Sequence, residues 1–250
     1  MTTTVSLLPA AGTTRPGAPS LGTLTGIEMR KSLSTWSGKA VGLVSLLLGP
    51  LGVLIASLDA DGEAPAAAIL GFTAMLTAFV LLAMGVLSTA GEWTHKSVQT
   101  TFLLVPQRGR VIASKVAAMA VLGGAFAALA AALTMAMLWA IPDPVSWTAV
   151  DRSFAVAVAA GAAMTVAGAG IGAALGNSPA ALTGTYLTVL GVLPILSAFK
   201  PEIAEKLDPA SSIVNLAQFG WDLTPALVLV GWAVISTALG AYVTRRRAVQ

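Results

Sequence analysis

Six apolar runs dominate the chain, at about 39–58, 66–90, 113–140, 153–176, 180–199 and 224–244, and none of them contains an acidic residue. Each approaches the ~20 residues that a helix rising about 1.5 Å per residue needs to cross roughly 30 Å of hydrocarbon. Only 10% of the residues are charged, against about a quarter in a soluble domain, and the charges clump between the runs. Mean hydropathy is +0.84. A water-facing surface cannot be built from so few charges. The runs are also too long and too rich in Ala, Leu and Met for strands, which would have to close as a barrel. The expected fold class is all-α, a polytopic membrane protein with six transmembrane helices.

The Lys and Arg residues set the expected orientation. With the N-terminus inside, Arg15, Arg30, Lys31, Lys39, Lys96, Arg108, Arg110, Lys115, Arg245, Arg246 and Arg247 fall on the cytoplasmic side, eleven of fourteen. Arg152, Lys200 and Lys206 fall outside, with nine of the eleven acids: Asp59, Asp61, Glu63, Asp143, Asp151, Glu202, Glu205, Asp208 and Asp222. Both termini are therefore expected in the cytoplasm, and the protein in the plasma (inner) membrane. Trp36 and Trp93 fall near the inner interface and Trp139, Trp147 and Trp221 near the outer one, as amphipathic rings prefer. Trp232 lies inside the sixth run and reads as packing or a cavity wall. The basic balance belongs to the membrane face, so no nucleic-acid partner is expected.

The chain has no cysteine, which excludes a disulfide framework and a thiolate site. The basic residues of the runs, Lys39 and Lys115, sit at or near an end. Proton pumps and ion-coupled carriers usually keep a charge within the membrane, so a proton relay is disfavoured, although a sodium site of carbonyls and hydroxyls stays open. Gly168, Gly172 and Gly176 recur at four-residue spacing in the fourth run, as small residues do where helices approach closely. They read as bundle packing, or more sharply as a gate or subunit interface. Gly49-Pro50 and Pro194 mark places where a helix loses a hydrogen bond. Residues 1–21, rich in Thr, Pro, Ala and Gly, read as a disordered cytoplasmic tail, and residues 22–247 as a single transmembrane domain.

The segment between the second and third runs is the richest in chemistry. Gly91-Glu92-Trp93-Thr94-His95-Lys96-Ser97-Val98-Gln99-Thr100-Thr101-Phe102-Leu103-Leu104-Val105-Pro106 reads as a short helix over 92–105, with Glu92 at its N-terminal, positive end. Val98 and Phe102 share a face, and Pro106 ends it. Arg108, Arg110 and Lys115 place the next run's start at the anionic inner leaflet. His95, the only histidine, has no metal-ligand companions. Before the first run, Ile27-Glu28-Met29-Arg30-Lys31-Ser32-Leu33 reads as an in-plane helix with Met29, Leu33 and Trp36 on one side.

These residues resemble the permease subunits of ABC-2 type transporters. In that family a Glu followed by an aromatic opens the loop after the second span. A Thr-rich turn, a Pro, a small or basic pair and a Lys entering the third span follow. Glu92-Trp93, Ser97, Thr100, Pro106, Arg108 and Lys115 match in order and spacing. Ser97-Val98 departs from the family's frequent Gly-Thr. The N-terminal interfacial helix (Glu28, Met29, Arg30, Lys31, Leu33, Trp36), the six spans and a longer outer segment, Lys200 to Asp222, fit as well. The family's outer segment dips back as short helices, which Pro201 and Pro209 would punctuate.

The resemblance implies two permease subunits face to face, as a homodimer or heterodimer, above two copies of an ABC ATPase subunit. The loop helix would be the cytoplasmic coupling helix, with Glu92, Trp93, His95, Lys96, Ser97, Gln99, Thr100, Phe102, Pro106 and Arg108 as the ATPase contact. No G-x-x-x-x-G-K-[ST] phosphate loop occurs, so the chain carries no cofactor of its own, and ATP and Mg would belong to the partner. A transport subunit rather than an enzyme is expected, exporting a hydrophobic or amphipathic substrate such as a drug, peptide or lipid. A nonenzymatic scaffold or assembly protein and an ion-coupled carrier are the alternatives. The Ala and Gly richness suggests a bacterial source.

Overall fold

A computed structural model describes residues 19–57, 64–95, 107–141 and 145–247. Of the tail expected at 1–21, residues 1–18 lie outside them, as do Lys96, Ser97, Gln99, Thr100, Phe102 and Pro106; Leu21 already opens a helix, which Ser20 caps.

The order is α1 (Leu21–Ser34), α2 (Trp36–Ala56), β1 (Ala64–Pro65), α3 (Ala66–Thr94), α4 (Arg108–Ala140), β2 (Val145–Ser146), α5 (Val150–Leu175), α6 (Ser178–Leu187), a π-helical turn (Thr188–Val192), α7 (Leu193–Phe199), α8 (Pro201–Ala204), α9 (Pro209–Gln218) and α10 (Leu223–Arg246). Among the described residues six helices are long and apolar enough to cross a membrane: Trp36–Ala56, Ala66–Thr94, Gly109–Ala140, Val150–Leu175, Ser178–Phe199 and Leu223–Arg246. These match the six apolar runs, but the helices run further. Glu92 thus falls inside a helix rather than in the connection.

The helices alternate in direction. One end of the bundle, here the basic end, holds α1, the ends of α3, α5 and α10 and the starts of α4 and α6. The opposite end holds the parallel pairing of Ala64 with Val145 and Pro65 with Ser146. This sheet end also carries α8 and α9.

Packing centres on α5, which touches α3, α4 and α10. Small residues make this possible. A side chain on Gly168 would run into the Leu82 carbonyl of α3, and one on Gly172 would meet the carbonyl of Val86. The two glycines face α3 inside the bundle. Around them Leu82, Val86, Ala160 and Met164 form the core. Gly176 has a different part. It is the left-handed residue (φ 64°) that ends α5, where glycine costs least. By contrast α2, α6–α7 and α10 leave wide apolar faces uncovered, including Leu47, Leu54, Leu190, Ile195, Leu227 and Ile235.

The fifth spanning helix is interrupted. Pro194 cannot donate to the Leu190 carbonyl and its ring crowds it. The chain slips into the wider π turn at Thr188–Val192 just before it. Beyond Phe199, α9 packs Ile213, Leu216 and Ala217 into the core, and Ser153 of α5 donates to the Ala217 carbonyl at 3.0 Å.

Candidate functional site: a buried ring of charges at the basic end

Thr35 divides α1 from α2. Its extended backbone breaks the helix and its hydroxyl caps the next one by accepting from Gly38 N–H. The chain turns sharply there because Gly38 packs against the Ser32 carbonyl with no room for a Cβ. The turn lays α1 against α4, with Leu24, Glu28 and Ser32 as its buried stripe.

That stripe corrects the sequence reading of α1. Met29 packs inward against the cluster around Leu81 and Met119. Leu33 is exposed, and Trp36, 86% exposed, belongs to α2. The three do not share one face of one helix, because the break at Thr35 separates Trp36 from the others. Arg30 is exposed.

Glu28 lies on the covered side and meets Glu92 and Lys115. The three side chains are 6%, 7% and 6% exposed. Lys115 reaches Glu28 at 2.5 Å and Glu92 at 3.0 Å. Lys31 bonds the same Glu92 oxygen and lies 3.6 Å from Glu28. Glu28, Lys115, Glu92 and Lys31 thus close a ring of alternating charge, neutral in sum, joining α1, α3 and α4. An isolated charge in such a place is very costly, whereas carboxylates that each take two ammonium groups are compensated. Burial works against the Lys31 ammonium, but attraction and hydrogen bonding from Glu92, then Glu28, outweigh it and raise its pKa above the ordinary 10.5.

The position of Glu92 also differs from the sequence expectation. Glu92 and Trp93 occupy the last turn of α3, not the first turn of a loop helix. A carboxylate at a helix C-terminus faces the negative pole. Its place there is explained by the two lysines that meet it. Glu92 is buried and so offers a partner little surface. Thr94 and His95 are exposed beside it. Arg108 contributes its backbone to the start of α4; its side chain lies outside the described residues.

A second set of contacts ties in α5 and α10. Arg247 donates to the carbonyls of Ala174 at 2.7 Å and Leu175 at 3.1 Å, at the negative pole of α5. Its guanidinium also lies 5.1 Å from the Trp93 ring centre, within cation–π range. A side chain on Gly176 would strike this guanidinium. The basic end is therefore linked across five helices. Beside it, Lys31, Trp36, His95 and Ser178 line a cleft of about 520 Å³.

Among the described residues no three His, Cys, Asp or Glu side chains gather as a metal site would need. No protein-family model matches the chain, and neither does any curated protein. Functional inference therefore rests on the residues and their geometry.

The sequence singles out Glu28, Lys31 and Glu92; it reads Lys115 as an inner-leaflet charge and as the Lys entering the third span in the family pattern, and Arg247 as a positive-side marker. One sequence signal pointed to the ring. Glu28 and Glu92 are the two acids that the charge ledger leaves on the basic side, and both belong to it.

Proposed function

We propose that this chain is the membrane permease subunit of an ABC-2 type exporter. It moves a hydrophobic or amphipathic substrate out of the cytoplasm together with separate ATP-hydrolysing subunits. In this reading the basic end faces the cytoplasm with both termini, α1 lies at the inner interface of the plasma membrane, and two permease subunits stand above two ATPases.

The observation that carries the reading is the ring. It joins α1 to the two helix ends that flank residues 96–106, the segment whose neighbourhood resembles the family's coupling loop. A push on that segment would reach α1, α3 and α4 as one unit. Arg247 would extend it through Trp93 to α5 and α10. Such a link transmits only if the partner's nucleotide states favour different arrangements of these helices. Exposed His95, with Lys96, Gln99 and Phe102, would meet the ATPase, while Glu92 would act from beneath by holding the helix end. ATP and Mg stay in the partner, consistent with the missing phosphate loop.

Reconstituted with its ATPase, the Glu92→Gln variant should retain ATP hydrolysis and lose substrate movement per ATP. The milder Lys31→Gln variant should lie between it and the parent. Wild-type transport per ATP in both variants, with the protein folded, would remove the ring from the mechanism.

A further inference from the structure

We infer that the groove between α10 and the fifth spanning helix is a binding site for an anionic phospholipid, with Lys206 holding the headgroup phosphate.

The groove measures about 810 Å³ and is bounded by α5, the π turn, α7, the Lys206-Leu207 pair and α10. Its walls are apolar, with Leu193, Leu227, Ile235 and Leu239 along it. From Thr224 to Leu239 it follows α10 for about 22 Å at the helical rise. One leaflet of hydrocarbon is about 15 Å deep, so the groove has room for a whole acyl chain.

Lys206 is the sole charged residue among its lining residues. It makes no salt bridge among the described residues. None of the nearby acids forms a salt bridge with it. Glu205 lines a separate cavity of about 550 Å³ with Asp222. The Asp208 carboxylate accepts from Ala210 and Ser211 N–H and caps α9. Glu202 lies a turn earlier, in α8, on an exposed position. Neighbouring residues of one short segment are thus sorted by sign, the lysine to the apolar groove and Glu205 to the polar cavity.

Lys206 is an exposed residue of the lining, and its neighbour is anchored. Trp232 donates its indole N–H to the Leu207 carbonyl at 2.9 Å. Trp232 lies nine residues into α10, about 13 Å along its axis, and its side chain leans back toward the sheet end. This bond ties the backbone next to Lys206 to the wall that α10 forms. A lysine with no salt bridge among the described residues, lining an apolar groove within membrane reach, is a place where an anion gains. A phosphate supplies it through charge-assisted hydrogen bonds, and the attached chain covers the groove's apolar surface. A zwitterionic lipid brings its own cation to the same place and gains less. Binding here needs only that the six helices cross a bilayer. It does not depend on an ATPase partner, so either idea can fail without the other.

The test is native mass spectrometry of the full chain in neutral detergent, titrated with phosphatidylglycerol or phosphatidylcholine of identical chains. One bound phosphatidylglycerol should be preferred by about fivefold, the worth of one lysine near a lipid surface. Lys206→Ala should abolish the preference and Lys206→Arg should keep it. Gly231→Leu, placed where a Cβ meets nothing, should fill the groove and weaken both lipids. Circular dichroism and size exclusion confirm that each variant folds. Equal binding of the two lipids by the parent overturns the assignment, as does a preference that survives Lys206→Ala. A dimer that dissociates on Lys206→Ala, without lipid discrimination, would make the groove a protein interface instead.

Discussion

Glu92 concentrates the chemistry of the basic end, because one of its carboxylate oxygens meets both lysines. Replacing it by Gln leaves Lys115 and Lys31 on Glu28 alone, an uncompensated buried charge. The expected loss is about 3 kcal/mol, read by thermal or denaturant unfolding in detergent. The neutral pair Glu92→Gln with Lys115→Gln should recover part of it, with a coupling of about 1–3 kcal/mol in a double-mutant cycle. Strict additivity would mean that the ring is not a unit. Lys31 gives a pH signature. Its pKa is raised above 10.5, so its contribution is fully present below the ordinary lysine value and is lost as pH rises through the raised one. The stability gap between the parent and Lys31→Met should therefore be constant from neutral pH to about 10 and close only in stronger alkali. A gap that closes between pH 6 and 8 would assign the effect to another group.

Among the elements, α5 is the one whose small residues set the spacing of its neighbours. Gly168→Ala must push α5 from the α3 backbone, at an expected cost of about 1–3 kcal/mol. Gly184→Ala, on an exposed face with nothing near its Cβ, should be neutral or stabilising by up to about 1 kcal/mol. Equal melting temperatures for the two variants would refute the packing account. The elements also show what is readable from local pattern. The six spanning helices follow from apolar length alone, and a local irregularity in the fifth from Pro194. A separate in-plane helix before the first span is readable as well, but the place of its end, at Thr35 rather than beyond Trp36, is not. It depends on a capping hydroxyl and on the close approach of Gly38 to Ser32, and nothing in the hydrophobic pattern reports either. Placing Glu92 at the start of a loop helix failed for a related reason. Gly91 looks like a boundary, yet the helix runs through it to Thr94.

For the whole molecule, the membrane class was legible because composition is a bulk property, while the ring was not because its members lie 61 and 87 residues apart. No local window holds Glu28, Glu92 and Lys115 together; only the fold does. What the charge ledger offered was the anomaly of two acids on a basic face. The same whole-molecule view separates two ends with different work. The basic end is cross-linked by ion pairs and by Arg247, as the proposed seat of an ATPase would need. The sheet end holds α8 and α9, and between α10 and the fifth spanning helix the membrane-length groove lies open. Arg247→Ala should loosen the basic end without touching the ring, lowering hydrogen-exchange protection at the ends of α5 and α10 and leaving α1 unchanged. Loss of protection in α1 as well would show that the two sets of contacts are one cooperative unit.

The central claim is that this basic end seats an ATPase, and the most direct measurement is recovery of the tagged chain from its own host in mild detergent. The account predicts a stoichiometric partner with a phosphate-binding loop. That partner should be lost on combined Lys96→Ala, Gln99→Ala and Phe102→Ala replacement, which leaves the buried ring intact, and retained in Gly184→Ala. Recovery of the chain alone, or with a partner that hydrolyses no nucleotide, would contradict the exporter reading while leaving the six-helix fold and its ring in place.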